Sequence, residues 1–195
     1  GYALSWEAGK AYFVSVRAPD GETQLDPADA LDKLRPILTN PEIEKVGQNL
    51  KYDIAVLRAA GVELAGVAFD TMVASYLLEP GERNHNLDEL SQKLLSHETI
   101  KITQLIGDKG KGKTQKLMSQ VPVAQITEYA CEDADVALRL TNLLEPRIQN
   151  EKLDTLAREL EFPLIEVLAE MEFHGIRVDE IRLKEMSADF ADRLE

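Results

Sequence analysis

Tyr129-Ala130-Cys131-Glu132-Asp133 is the stretch that organises the reading of this chain, and Asn49-Leu50-Lys51-Tyr52-Asp53 upstream gives it force. Each places a carboxylate four residues after a polar or aromatic side chain. On a helix that spacing brings both side chains to one face. Two such faces, each offering an acid, suit a site where a divalent metal activates water against a phosphate. Around the first stretch, Ile126, Ala130, Asp133, Ala137, Leu140 and Leu144 follow helical spacing, so Asp133 falls on an apolar stripe. A buried carboxylate there needs a cation or several hydrogen-bond donors. A metal is one solution; an arginine or a helix N-terminus is another. Tyr129, one turn earlier, aims its hydroxyl at the same region. The plainer reading of the second stretch makes Asn49 a helix N-cap and Asp53 a solvated first-turn acid that suits the helix dipole.

Composition bounds the rest. The chain has 195 residues, 44% of them apolar, which allows one domain or one domain with part of a neighbour. No apolar stretch is long enough to span a bilayer, and no signal peptide opens the chain. It begins Gly1-Tyr2-Ala3 in a strand-like segment without Met, as a piece excised from something longer would. The single cysteine, Cys131, excludes an internal disulfide and fits a reducing cytoplasm. A net charge of −13 argues against a broad basic grip on duplex DNA. It leaves room for a metal-dependent nucleic-acid enzyme, whose ions meet the phosphate charge.

Along the chain, residues 2–7 and 11–17 read as a β-hairpin with Trp6 packing on it. Asp26-Pro27 starts a helix whose stripe is Ala30, Leu31, Leu34, Ile37 and Leu38, with Pro36 expected to kink or restart it. Short strands come next at 45–47 and 66–69, and helices at 49–60, 71–78 (capped by Asp70), 87–96 and 122–144. Leu50, Ile54 and Leu57 face the core in the first of these helices. A basic, glycine-rich segment spans 107–116. It reads as a solvated loop, or as a phosphate contact beside a cleft. Its Lys111-Gly112-Lys113-Thr114 lacks the residues and strand that a P-loop requires. Asp135, two residues past Asp133, points away to the surface. Residues 152–174 are helical with a break at Pro163. Gly175 ends that run, and Asp179 caps a last helix that needs a partner to pack on. His85, His97 and His174 show no zinc spacing.

The longer runs are more specific. Val46-Gly47-Gln48-Asn49-Leu50-Lys51-Tyr52-Asp53, Phe69-Asp70-Thr71-Met72, Ser75-Tyr76-Leu77-Leu78 and Tyr129-Ala130-Cys131-Glu132-Asp133-Ala134-Asp135-Val136 resemble the proofreading 3′→5′ exonuclease domain of bacterial family-A DNA polymerases. That domain belongs to the tyrosine-bearing DEDD exonucleases. Leu160-Glu161-Phe162-Pro163-Leu164 and Met171 through Asp179 are similar to the start of the polymerase region that adjoins it.

The resemblance implies an α/β, ribonuclease-H-like fold with a mixed sheet flanked by helices. It implies an exonuclease domain over residues 1–150 and the helical start of a polymerase domain over 151–195. It implies that Asp133 and Asp53 hold two Mg²⁺ or Mn²⁺ ions about 4 Å apart. Tyr129 would orient the attacking water, and Gln48, Asn49 and Tyr52 would line the cleft for the terminal nucleotides. The partners would be a single-stranded DNA 3′ end and the polymerase domain of the same parent chain. The setting would be a bacterial cytoplasm, at the nucleoid, with no membrane.

The family's first motif, a strand-borne Asp-x-Glu, is missing. Asp20-Gly21-Glu22 lies in a Pro-Asp-Gly turn and does not replace it. Either the chain is cut after that motif, with its first strand gone, or the parent has lost it and keeps a non-catalytic scaffold domain. The joint presence of Asp53, Tyr129 and Asp133 favours the cut. On that reading the chain by itself has little or no nuclease activity.

Overall fold

A computed structural model describes residues 1–108 and 114–194. The basic segment expected over 107–116 lies partly outside the described residues, as do Lys111, Gly112 and Lys113.

The chain opens as β1 (Tyr2–Glu7) and β2 (Lys10–Val14), an antiparallel hairpin that turns at Ala8-Gly9. The second strand ends at Val14, three residues short of expectation. Trp6 and Tyr12 stack across the pair, ring centroids 4.6 Å apart. Helix α1 (Pro27–Leu38) starts as the sequence requires. The Asp26 carboxylate accepts from the Ala28 and Asp29 amides, and Pro27 loses no hydrogen bond at the first position. Pro36 does not restart it: the helix runs unbroken through this residue and ends at Leu38. Ile37 is largely exposed, and the stripe buries Ala30, Leu31 and Leu38.

Two crossing segments then build the centre. β3 (Lys45–Gly47) leads into α2 (Leu50–Ala59), and β4 (Val67–Asp70) leads into α3 (Thr71–Leu78). β3 and β4 pair in parallel, with Gly47 opposite Asp70. The two start so close together that only glycine fits at 66. A Cβ there would stand 2.5 Å from the Ile43 carbonyl oxygen, and φ is +77°. Among the described residues the strands form these two pairs, one antiparallel and one parallel.

The helix expected at 87–96 divides into α4 (Leu87–Leu90) and a wider π turn, Ser91–Leu95. After α5 (Ile102–Ile106) comes α6 (Val123–Asn150), six residues longer at its C-terminal end than the sequence suggested and uninterrupted by Pro146. Leu140, Leu144 and Ile148 of α6 are fully buried in one core with Phe69, Ala74, Leu50 and Ile54. The hairpin and β3 both pack on this helix. Asp135 does not face away: its carboxylate accepts from the Gly9 amide at 2.5 Å and so ties the hairpin turn to α6.

The break expected at Pro163 occurs one turn earlier. α7 (Asp154–Leu156) passes through a π turn, Ala157–Glu161, into α8 (Phe162–His174). Proline has no N–H to return to the residue four before it, so the preceding turn widens instead. Ala157, Phe162, Ile165 and Ala169 join the main core, and Phe162 lies 5.1 Å from Phe69. Gly175 ends α8 at φ +67°. Asp179 caps α9 (Glu180–Leu194), which buries none of its side chains.

Glu22, from the discarded Asp-x-Glu, has a different task. It sits in a turn with Gly21 at φ +86°, and its carboxylate accepts from the Val123 amide at 2.7 Å. Pro122 offers no side-chain cap, so an acid 101 residues away supplies it. Glu22→Ala is expected to cost about 0.5–1 kcal/mol by loss of this cap and of the charge at the positive helix end. Urea denaturation of the two proteins checks it; equal midpoints would remove Glu22 from that role.

Candidate active site

The turn between β3 and α2 carries Gln48 and Asn49. Asn49 occupies the capping position but adopts left-handed geometry, φ 58° and ψ 48°, and its side chain caps nothing. The plain N-cap reading of Asn49 is therefore overturned. The cap comes from across the sheet. Asp70, 1% exposed, turns one carboxylate oxygen to the Leu50 amide at 2.7 Å. Its other oxygen accepts from Met72 and Val73 at 2.9 and 3.2 Å. One side chain thus caps two helices. The sequence marks Asp70 only as the cap of α3, because its bond to Leu50 spans twenty residues and depends on strand register.

Freed from capping, the Asn49 side chain is available to a ligand, as is Tyr52, 67% exposed one turn into α2. Asn49→Gly should leave stability within a few tenths of a kcal/mol, since glycine adopts positive φ freely. Asn49→Val should cost about 1–2 kcal/mol, because a β-branched residue resists that geometry. Denaturant midpoints for both variants check these two costs.

Asp53 lies at the surface of α2, yet it is not the ordinary solvated acid that the plainer reading supposed. Crowding by protein atoms, then the nearby Asp70 charge, pushes its pKa up to about 6. Asp133, half-buried on α6, is likewise pushed up to about 6. Burial is the main cause, and the charges of Asp88 and Glu132 add to it; the Tyr129 hydroxyl, hydrogen-bonding to the carboxylate, works the other way. Burial and the same Asp133 push the Tyr129 hydroxyl well above its ordinary value. β3, from which α2 departs, packs on α6.

Glu132, which the sequence leaves without a role, pins the segment before α5. It accepts from the Ile100 amide at 2.7 Å and meets His97 Nε2 at 2.8 Å. Asp88 receives the Thr99 hydroxyl at 2.6 Å and Lys101 at 2.9 Å. No local pattern reveals these contacts, which span up to 35 residues. Cys131 is free and half-buried.

Asp53 and Asp133 are both acids whose pKa is pushed up to about 6, and oxygen donors suit Mg²⁺ or Mn²⁺. Among the described residues no group of three or more His, Cys, Asp or Glu is placed to hold an ion. Each of the two could supply one carboxylate of a larger shell. Mg²⁺ commonly accepts such an arrangement, with one or two carboxylates completed by water and substrate phosphate.

The chain is similar to known proteins in sequence and in fold. The family model described as 3′-5′ exonuclease matches residues 4–149. DNA polymerase I of Pseudomonas aeruginosa is 40% identical over 176 residues, 88% of this chain and 19% of the relative. That of Rhizobium leguminosarum is 39% identical over 170 residues, 87% of this chain and 16% of the relative. The chain thus spans less than a fifth of the curated relatives it matches. The solved complex of the POL domain of Pol1 from M. smegmatis with DNA primer-template and dNTP is 27% identical. It aligns over 89% of this chain and 26% of its own, with a TM-score of 0.64. Brucella melitensis NrnC, 23% identical, aligns over 84% of this chain and 71% of its own with a TM-score of 0.59, a likeness of fold. Among the described residues no helix is long and apolar enough to cross a membrane. With its α/β, ribonuclease-H-like fold and a family match over most of its length, this chain belongs to the 3′-5′ exonuclease family of DNA polymerase I.

Proposed function

We propose that this chain is the proofreading part of a bacterial family-A DNA polymerase, removing nucleotides from single-stranded or mispaired DNA 3′ ends in the cytoplasm, at the nucleoid. The observation that carries the reading is that Asp53 and Asp133, one from each motif, both have their pKa pushed up to about 6, while β3, which leads into α2, packs on α6. Such carboxylates gain most from a cation. Residues 151–195 would open the polymerase region. Ala157 of the π turn and three residues of α8 already share the main core, while the wholly unburied α9 would pack against the body of the polymerase domain.

Asp133 and Asp53 would hold two Mg²⁺ or Mn²⁺ ions, which when bound activate the nucleophile and stabilise the leaving 3′ oxygen. Asn49 and Tyr52 would hold the terminal nucleotides by amide and ring. Tyr129 would orient the attacking water. With its proton affinity raised, its hydroxyl stays protonated at working pH, so it acts as a hydrogen-bonding group and not as a base. Tyr129→Phe is therefore expected to lower kcat about 10- to 100-fold while leaving the shape of the pH–rate profile unchanged. A lost alkaline limb would show instead that Tyr129 gains or loses a proton in the reaction.

The test is 3′-end degradation of a single-stranded oligonucleotide by the full-length parent protein, with Mg²⁺ or Mn²⁺ and with chelator. Metal-dependent release of 5′-mononucleotides that disappears in Asp53→Ala and Asp133→Ala supports the reading. A folded parent protein that degrades nothing would leave a domain that only supports the polymerase. The 195-residue chain alone, in which no group of three or more His, Cys, Asp or Glu among the described residues is placed to hold an ion, is expected to degrade little.

A further inference from the structure

Between the π turn at Ser91–Leu95 and α5 the chain runs as an irregular strap, residues 97–101. Two sets of bonds hold it. One comes from the elements just before it. Buried Ser91 gives its hydroxyl to the His97 carbonyl at 2.9 Å, and Asp88 receives both the hydroxyl of buried Thr99 and the Lys101 ammonium. The other comes from Glu132 of α6, whose side chain is 17% exposed. One of its oxygens meets His97 Nε2 at 2.8 Å and the other accepts from the Ile100 amide at 2.7 Å. The Ile100 side chain and Tyr129 both pack against the small core of Leu105, Val121 and Ile126. Glu132 stands three residues after Tyr129, on the same side of α6, and directly before Asp133. The Tyr129 hydroxyl, raised in pKa first by burial and by Asp133, also feels the charges of Asp88 and Glu132, so both acids lie near it.

We infer that Glu132 is a positioning residue for the reaction: by pinning the strap to α6 it seats Ile100 against the core that holds the Tyr129 ring, and so keeps the Tyr129 hydroxyl on Asp133. The inference rests on the exonuclease reading above for its catalytic consequence. A half-buried ring keeps one rotamer only while its neighbours fill the space beside it. The bonds from a poorly solvated carboxylate to a backbone amide and an imidazole are costly to release, so the strap stays in place while they last. Without Glu132 the Ile100 amide loses its partner, the strap is free of α6, and the packing around Tyr129 loosens. No group that would touch DNA or metal has then been removed.

In the full-length protein, Glu132→Ala is expected to lower kcat for a single-stranded oligonucleotide about 10-fold, and no further than Tyr129→Phe does, because its effect passes through that residue. KM should stay within about twofold, since no contact to substrate is removed. In a Tyr129→Phe background the same substitution should cost less than about threefold. Glu132→Gln removes the charge but keeps an oxygen for the Ile100 amide and an N–H for His97, and should stay within about threefold of the parent. Ile100→Ala leaves Glu132 intact and should reproduce the loss; it carries the same comparison with Tyr129→Phe if Glu132→Ala does not fold. In protein labelled with fluorotyrosine, the fluorine NMR line assigned to Tyr129 by its absence in Tyr129→Phe should move in Glu132→Ala and hold its place in Glu132→Gln. Equal losses in Glu132→Ala and Glu132→Gln would mean that the charge acts and not the bonds, and would overturn the inference. Losses that add in full to that of Tyr129→Phe would overturn it too, since Glu132 would then act elsewhere. If the unsubstituted protein degrades no DNA, the exonuclease reading fails separately. The fluorine line then decides, and an unmoved line in Glu132→Ala rejects the positioning of Tyr129.

Discussion

An Asp133→Asn protein is expected to lose its 3′-end nuclease activity about 10³-fold or more and yet to melt at a higher temperature than the parent at pH 7.5 in chelator. The two effects have one cause. In the metal-free fold the Asp133 carboxyl has a pKa of about 6, above its ordinary value, chiefly through burial. The folded state therefore binds a proton that the unfolded state does not between those two values. The stability this group contributes is full below its ordinary pKa and is lost as pH rises through about 6. At pH 7.5 the charge is held in a poorly solvated place with no cation. Asparagine keeps the shape, and its carbonyl can still accept from Tyr129, but it carries no charge. The gain should be about 1–2 kcal/mol, reduced from the full pKa displacement because the site is partly solvated, and should vanish near pH 4. Millimolar Mg²⁺ should reverse the order by binding only the parent. Thermal melts across pH, with and without Mg²⁺, check each part. A variant less stable than the parent at neutral pH in chelator would mean that Asp133 is compensated by the protein and is no metal ligand in waiting.

Asp70→Ala should produce the largest loss of stability, about 2–4 kcal/mol, because it strands the Leu50, Met72 and Val73 amides together. Burial raises the pKa of Asp70, so deleting its charge returns something, and the backbone bonds must outweigh that for the residue to stabilise the fold. Asp70→Asn separates the two contributions. One amide oxygen can still serve Met72 and Val73, but the NH₂ group would then face the Leu50 donor. The expected cost is about 1–2 kcal/mol. The substitution should also act at a distance. Asp70 is the charge that helps hold Asp53 above its ordinary pKa, so Asp53 should titrate lower in Asp70→Asn. Urea denaturation reads the first effect and carboxyl NMR titration the second. A stability change below the cost of a single ordinary cap would contradict the double role.

Much of this protein was legible before folding, wherever the deciding interaction joins residues a few positions apart. Asp26 before Pro27, Asp70 before α3, Asp179 before α9 and Gly175 after α8 all act within one turn of a helix, so their spacing announces them. The four-residue interval between Tyr129 and Asp133 likewise holds in any helix. What stayed hidden depends on which segments meet. Asn49 looks like an N-cap because asparagine caps helices in isolation. Only the parallel pairing that sets Gly47 opposite Asp70 lets a distant carboxylate take that task and leaves Asn49 left-handed. Glu22, set aside from the metal motif by its place in a turn, finds its task only when the fold brings it to the amide of Val123. The raised proton affinities of Asp53 and Asp133 come from protein atoms and charges gathered by tertiary packing. The sequence by itself therefore determined which residues could do the chemistry, since residue type and helical interval are local properties. The tertiary structure decided which of them remain free to do it, because hydrogen-bond partners and solvation are settled only when distant segments pack together.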